Sequence, residues 1–137
     1  MEAHYQLSDQ DFVYQFENII LDPKLFSHEA HLRIAWIYIK NNNIDYAIAQ
    51  LREQLIKFVT HLGAREKYNE TVTVAAVKAV YHFYLKSNSE NFKSFIEEFP
   101  RLKTNFKDVL AQHYNIDVFN SEIAKSSFLE PDKLPFN

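Results

Sequence analysis

The 137-residue chain contains a single glycine, Gly63, and no cysteine. Glycine supplies the positive φ angles of tight β-hairpins and the close backbone approach of phosphate-binding loops, so we expect neither feature here. The lack of cysteine excludes disulfides, iron–sulfur clusters and thiolate zinc sites. A chain of this length suits one domain with its own hydrophobic core. We therefore expect a helical domain in which other polar side chains carry any chemistry.

The apolar residues recur at helical spacing along most of the chain. Ser8 and Ser27 are typical residues for starting a helix, and Gly63 is typical of the left-handed residue that ends one. The pattern predicts an all-α, up-and-down bundle in one domain, residues 1–137, with the fourth core helix the most central. The predicted core helices are 9–20, 28–41, 44–62 and 69–87, the shorter helices are 90–99, 104–114 and 121–125, and an extended tail covers 128–137.

Charges of both signs are interspersed, with 15 Lys and Arg against 18 Asp and Glu and a formal net charge of −3. Because there is no basic stripe, we expect no nucleic-acid partner. The amino terminus lacks the features of a secretory signal, and the apolar stretches are too short to span a bilayer. We therefore expect a cytoplasmic protein with no membrane partner. His4, near the terminus, is expected to be disordered.

Ionisable side chains gather in the first turns of the two most apolar helices. His28, His31 and Arg33 begin the helix at 28–41, and Tyr68 and Glu70 begin the helix at 69–87. In an up-and-down bundle these two helices run parallel, so their amino-terminal ends lie at the same pole. The sequence therefore predicts that these side chains meet there.

This predicted pole has the groups that acid–base chemistry needs. Helix N-termini disfavour imidazolium, and a neutral imidazole accepts a proton or binds a metal. We predict His28, His31 and Glu70 as catalytic residues, with a histidine as general base and Glu70 orienting it. The predicted ligand-binding residues are Arg33, Trp36, Tyr68, Asn69 and Thr73. His28, His31 and Glu70 also match a two-histidine, one-carboxylate set, so a divalent metal ion is the candidate cofactor.

Three segments resemble motifs of a family of small bacterial proteins of uncharacterised function. Residues 26–36, FSHEAHLRIAW, resemble its F-x-H-x-x-H-L-R-x-x-W motif, and residues 68–73, YNETVT, resemble Y-H-E-T-x-T. Near the end, Ala124-Lys125 and residues 130–135, EPDKLP, are similar to its A-R and E-P-D-x-x-P motifs. The resemblance implies one site made by His28, His31, Arg33, Glu70 and the tail, and it implies no activity. Asn69 stands where the family has histidine, which counts against a metal but suits hydrogen bonding to a substrate.

Three functions are consistent with these patterns. The first is a small-molecule site at the predicted pole, with or without turnover of the ligand. The second is a divalent-metal site on His28, His31 and Glu70. The third is a non-enzymatic interaction module, for example a homodimer formed through Phe92, Phe95 and Phe99, although the same rings also suit covering the bundle core. In the alternative without function, the polar groups at the pole are solvent-facing helix residues and a core histidine.

Overall fold

The computed structural model describes residues 1–136, and these residues contain eight α-helices and no strand. The predicted all-α fold class is therefore confirmed. The helices are α1 (Asp9–Glu17), α2 (His28–Asn41), α3 (Ile44–His61), α4 (Glu70–Tyr84), α5 (Phe92–Glu98), α6 (Arg101–Thr104), α7 (Phe106–Ala111) and α8 (Glu122–Ser126). Short 3-10 turns cover Ala3–Gln6, Pro23–Leu25 and Arg65–Lys67. Within the described residues, no helix combines the length and the apolar character that a membrane crossing requires.

Side-chain caps explain where six of these helices begin. In each case the oxygen of the cap residue accepts a hydrogen bond from the backbone amide three residues later, which satisfies one of the free N–H groups of the first turn. The six caps are Ser8, Ser27, Asn43, Asn69, Asn91 and Ser121.

The core forms where α2, α3 and α4 pack against one another. Ten of the fourteen residues of α2 are buried, against seven of the fifteen residues of α4. Every residue from Leu32 to Ile39 is buried, so α2 is enclosed on nearly all sides. The prediction that the fourth core helix is the most central is therefore wrong, because α2 occupies that place.

Several helix boundaries differ from the predicted ones; α4, for example, ends at Tyr84 and not at residue 87. Two of the differences have local reasons. The first helix ends at Glu17 because Ile19 adopts a φ angle of +58°, in the left-handed region, and so the helix does not continue to residue 20. The helix predicted at 104–114 is shorter and forms α7, Phe106–Ala111, because the backbone of Asn105 leaves the helical region at φ −132° and ψ 38°. The preceding α6, Arg101–Thr104, is a helix that the apolar pattern does not predict.

The tail after α8 has no regular structure and is held to the body by hydrogen bonds. The amide of Leu129 donates to the Thr71 hydroxyl oxygen at 3.1 Å, and the Tyr114 hydroxyl donates to the Leu129 carbonyl at 2.7 Å. Phe136 is buried in the core. Asn137, the last residue of the predicted tail, lies outside the described residues.

Gly63 ends α3 as the sequence predicts. Its φ angle is +70°, its amide donates to the Thr60 carbonyl at 3.0 Å, and the Ala64 amide donates to the Val59 carbonyl at 2.8 Å. These two bonds are the Schellman pattern, which satisfies carbonyls left free in the last turn.

Replacing Gly63 by alanine tests this cap. We expect the free energy of unfolding to fall by about 1 to 2 kcal/mol, the cost of a left-handed conformation for a residue with a side chain. A Cβ atom there would meet no other atom within 4 Å, so a steric clash adds nothing. Gly63→Asn should cost less, because asparagine tolerates this conformation. Urea denaturation measures both variants, and an alanine variant as stable as the wild type would contradict the assignment.

Candidate functional site

His28 and His31 are both engaged with backbone carbonyls. The exposed His28 donates from Nε2 to the Leu102 carbonyl in α6 at 3.0 Å. His31 donates from Nδ1 to the Ser27 carbonyl at 2.8 Å, and its ring stacks on Phe26 with centroids 3.9 Å apart. A carbonyl can only accept, so these contacts define which ring nitrogen of each histidine carries the proton. His28 thus links α2 to α6, and His31 keeps a lone pair on Nε2.

His31 is neutral at physiological pH. Burial lowers its pKa to about 4, and the hydrogen bond to the Ser27 carbonyl opposes that shift only in part. This agrees with the expectation of a neutral imidazole at a helix N-terminus, although burial is the dominant cause.

The Glu70 carboxylate pairs with Arg52 of α3 and with Tyr68, two residues before it in the chain. Its Oε2 lies 2.7 Å from Arg52 Nη2, and its Oε1 accepts a hydrogen bond from the Tyr68 hydroxyl at 2.6 Å. Among residues 1–136, one group of three metal-ligating side chains brings its ligand atoms within 4.8 Å of one another, and it contains none of His28, His31 and Glu70. The predicted metal set is therefore not assembled, because Arg52 and Tyr68 take the carboxylate of Glu70.

A surface cleft of about 630 Å³ surrounds this pair, and we call it the Glu70 cleft. Six of its nine lining side chains are charged. The lining residues come from α3, the 65–67 turn, the start of α4 and α8, and they are Arg52, Ile56, Arg65, Glu66, Tyr68, Glu70, Glu122, Lys125 and Ser126.

Tyr68 is the buried residue of the cleft, and its hydroxyl contacts the Glu70 carboxylate. Burial raises the pKa of Tyr68, and the hydrogen bond to the Glu70 carboxylate raises it further, so the hydroxyl stays protonated and donates. The guanidinium of Arg65 lies 5.3 Å from the centre of the Tyr68 ring, within cation–π range. The Glu70 side chain is 12% exposed and that of Arg52 is 46% exposed, so the guanidinium is the more accessible member of the pair.

Asn69 and Thr73, two predicted ligand-binding residues, instead make hydrogen bonds that stabilise the start of α4. Asn69 caps the helix through Oδ1 and donates from Nδ2 to the Val118 carbonyl at 2.9 Å. The Thr73 hydroxyl donates to the Asn69 carbonyl at 2.7 Å. Neither residue lines the Glu70 cleft.

Trp36, also predicted to bind ligand, belongs to the core. It is 1% exposed and packs edge-on against Phe92, with ring centroids 6.1 Å apart. Phe92 and Phe95 are buried as well, and Phe99 is partly buried. The three rings therefore cover the core, and they do not form the exposed face that the homodimer hypothesis requires.

Arg33 does not line the Glu70 cleft, and its side chain binds the amino-terminal segment. Its Nη1 donates to the His4 carbonyl at 2.7 Å, and its Nη2 donates to the Leu7 carbonyl at 2.8 Å and to Asp9 Oδ1 at 2.9 Å. The side chain is buried, so its charge depends on these partners. The predicted role of Arg33 in ligand binding is replaced by this structural one.

His4, expected to be disordered, is instead 1% exposed. Its Nε2 lies 3.4 Å from Glu29 Oε1 and 3.5 Å from Glu2 Oε1. Lys103 contacts the Oε2 atoms of both carboxylates, and we call Glu2, His4, Glu29, Arg33 and Lys103 the Glu29 cluster. A signal for it exists in the sequence, since Glu29 and Arg33 are spaced i, i+4 and therefore share one face of a largely apolar helix.

Burial and opposite charges set the protonation of this cluster. Burial lowers the pKa of His4, and the nearby Arg33 lowers it further. Burial alone would raise the pKa of Glu29, but the Lys103 ammonium in contact with its carboxylate holds that pKa below its usual range. At neutral pH the cluster therefore contains the neutral imidazole of His4 and the ionised carboxylate of Glu29.

Comparison of the chain with protein-family models, with curated proteins and with solved structures found no match. The resemblance of residues 26–36 and 68–73 to a bacterial family therefore stays a prediction. Function has to be argued from the geometry of the two polar sites.

Replacing Arg33 by methionine tests whether this residue stabilises the fold. The variant removes the hydrogen bonds from Arg33 to the carbonyls of His4 and Leu7 and leaves Asp9 without its cation, so we expect the free energy of unfolding to fall by about 3 kcal/mol. Arg52→Met is the matched control, because Arg52 is half-exposed and its pair with Glu70 should contribute under about 1 kcal/mol. Urea denaturation measures both, and equal stability of the wild type and Arg33→Met would contradict the structural role.

His31 should make stability pH-dependent. Its folded pKa of about 4 lies below the unfolded value of 6.5, so the unfolded chain takes up a proton first as pH falls. The contribution is complete above about pH 6.5 and is lost progressively toward pH 4. Melting temperatures across this range should fall less steeply in His31→Phe, which keeps the stacked ring but cannot titrate. An NMR-measured pKa near 6.5 for His31 would contradict the prediction.

Proposed function

We propose that this protein binds a small polar molecule in the Glu70 cleft. The observation that carries the proposal is the convergence of Arg52, Tyr68, Glu70 and Lys125, from three separate helical segments and the turn before α4, on one opening. Its volume of about 630 Å³ lies within the range of small-molecule sites, about 300 to 1,000 Å³.

The central groups of the cleft are held in place before any ligand arrives. Glu70 receives one hydrogen bond on each carboxylate oxygen, from Tyr68 and from Arg52. Each oxygen keeps a second lone pair, and Arg52 keeps donors on its other nitrogens. The donors and acceptors that a ligand would contact are therefore already oriented. Little side-chain entropy would be lost on binding, and this raises the affinity that a small site can reach.

Among the described residues, the charges that line the cleft without an ion pair are two cations, Arg65 and Lys125, and two anions, Glu66 and Glu122, so they favour a ligand that carries both an anionic and a donor group. Within the part of the chain that the structure describes, neither Arg65 nor Lys125 lies within 4.0 Å of a carboxylate. Together with Arg52 they favour a carboxylate or phosphate group on the ligand, because guanidinium groups recognise such planar anions in two-point contacts. Glu70 would accept a hydrogen bond from a hydroxyl, amide or amine of the same molecule.

The family resemblance supports the same site. Tyr68 and Glu70 fall in the segment similar to Y-H-E-T-x-T, and Lys125 falls in the segment similar to A-R. All three line the cleft, whereas His28, His31 and Arg33 do not. The proposal therefore keeps Tyr68 and Glu70 from the predicted pole and adds Arg52, Arg65 and Lys125.

A ligand screen by NMR tests the proposal directly. Isotope-labelled protein is titrated with small carboxylates, phosphates, hydroxy acids and amino acids, and backbone shifts are followed. We expect at least one class to shift the amides of Arg52, Tyr68 and Glu70 in a saturable manner. Glu70→Gln and Arg52→Met should each weaken the binding of that compound by about tenfold or more, because each variant loses one charge-assisted hydrogen bond.

The matched control is Glu53→Gln, the neighbour of Arg52 on α3. Glu53 is exposed, pairs with Lys57 at 3.3 Å and does not line the cleft, so its loss should leave binding unchanged. The proposal is wrong if no compound binds at millimolar concentration, or if the shifts cluster away from the cleft.

A further inference from the structure

We propose a second, independent site, for a zinc ion, formed by Glu2, His4 and Glu29 at the amino-terminal end of the molecule. These three side chains are the group whose ligand atoms lie within 4.8 Å of one another in the described residues. The site shares no residue with the Glu70 cleft.

Two of the three separations between the ligand atoms fit a tetrahedral ion, and the third, between the two carboxylates, is within 4.8 Å. Zinc bonds to nitrogen and carboxylate oxygen are about 2.0 to 2.2 Å, which places neighbouring ligands of a tetrahedron about 3.3 to 3.6 Å apart. His4 Nε2 lies 3.4 Å from Glu29 Oε1 and 3.5 Å from Glu2 Oε1. Both separations fall inside that interval without any movement of the side chains.

His4 supplies a second, independent reason to place an ion here. The residue is 1% exposed, and its Nε2 makes no hydrogen bond although it faces two carboxylates. The Tyr5 hydroxyl beside Glu29 is also buried without a hydrogen-bond partner. Buried polar atoms without partners are rare because each costs about 1 to 3 kcal/mol, and a bound ion would remove that cost at Nε2.

The remaining atoms of the Glu29 cluster act as outer partners of the ligands. Lys103 contacts the Oε2 atoms of both carboxylates, so it leaves the Oε1 atoms, which face His4, for the ion. Glu2 Oε1 also accepts one hydrogen bond from the Ser27 hydroxyl, which orients it, and would bind the ion through its second lone pair. Such outer hydrogen bonds position metal ligands and tune their affinity.

Charge and tautomer are both compatible with a dication. Glu2, Glu29 and Asp9 supply three negative charges against two positive charges from Arg33 and Lys103, so a dication changes the local sum from −1 to +1. His4 would bind through Nε2 with its proton on Nδ1, which lies 3.2 Å from Arg33 Nη1. Because a guanidinium can only donate, this contact places the His4 proton on Nε2 when no ion is bound. Zinc binding therefore moves the proton to Nδ1 and gives up this contact, while Arg33 Nη1 keeps its bond to the His4 carbonyl, at 2.7 Å.

The donor set selects the class of metal. One imidazole and two carboxylates suit zinc and its spectroscopic substitute cobalt, with a fourth position for water. Magnesium and calcium prefer six or more oxygen ligands, which these three side chains do not provide.

The test uses full-length protein without an affinity tag, freed of metal by chelation. Zinc is added and binding is followed by calorimetry and by melting temperature, with magnesium and calcium as comparison ions. We expect one zinc ion per chain, a rise in melting temperature, and cobalt absorption typical of four-coordinate sites. Magnesium and calcium should give no comparable rise.

Glu2→Gln is the decisive variant, because Glu2 is partly exposed and its loss should leave the fold intact. We expect it to weaken zinc binding by about tenfold or more and to change the cobalt spectrum. His4→Phe should abolish binding. His28→Ala and His61→Ala, two exposed histidines, are the controls and should bind zinc as the wild type does.

Several outcomes would overturn the proposal. These are the absence of stoichiometric zinc at tenfold excess, equal stabilisation by calcium, and unchanged zinc affinity in Glu2→Gln. Loss of binding in His28→Ala would place a metal on the residues that the sequence predicts instead. None of these outcomes bears on ligand binding in the Glu70 cleft, so the two proposals succeed or fail separately.

Discussion

The buried charge of Arg33 is the constraint on which the arrangement of this molecule depends. Because α2 is enclosed on nearly all sides, a cation on it has no access to water and needs partners inside the protein. The amino-terminal segment provides them through the carbonyls of His4 and Leu7 and the carboxylate of Asp9. The residues before α1 are therefore part of the folded core, and they bring Glu2 and His4 next to α2.

Glu29, the other charged residue buried on α2, also needs a partner of opposite charge, and it finds one in the carboxyl-terminal half of the chain. Its partner Lys103 belongs to α6, and His28 in the same turn donates to the Leu102 carbonyl of α6. The first turn of α2 thus joins the amino-terminal segment to α6. The Glu70 cleft is built differently, since its charges are accessible and its opening faces solvent. A buried cluster suits a permanently held ion, and an open cleft suits a ligand that exchanges.

Local signals in the sequence predicted the elements better than they predicted the site. The left-handed end of α3 at Gly63 and the range 28–41 of α2 follow from capping chemistry and apolar spacing, which act within one turn. The end of α1 was missed because the apolar spacing continues through Ile19 while the backbone does not. The partner of Glu70 was missed for another reason: which side chain of α3 faces it depends on how the helices rotate against each other, and periodicity leaves that rotation undetermined.

Amide hydrogen exchange tests most directly whether the amino-terminal segment is docked on α2. The amides of Tyr5 and Leu7 donate within the 3–6 turn, to the carbonyls of Glu2 and His4. Exchange measured by NMR at neutral pH should show both amides protected by at least about a hundredfold, as expected for a turn that opens with the fold rather than by fraying. Substitution of Arg33 by methionine should remove that protection while the amides of α3 stay protected. Exchange of Tyr5 and Leu7 at the rate of an unstructured peptide in the wild-type protein would contradict the account.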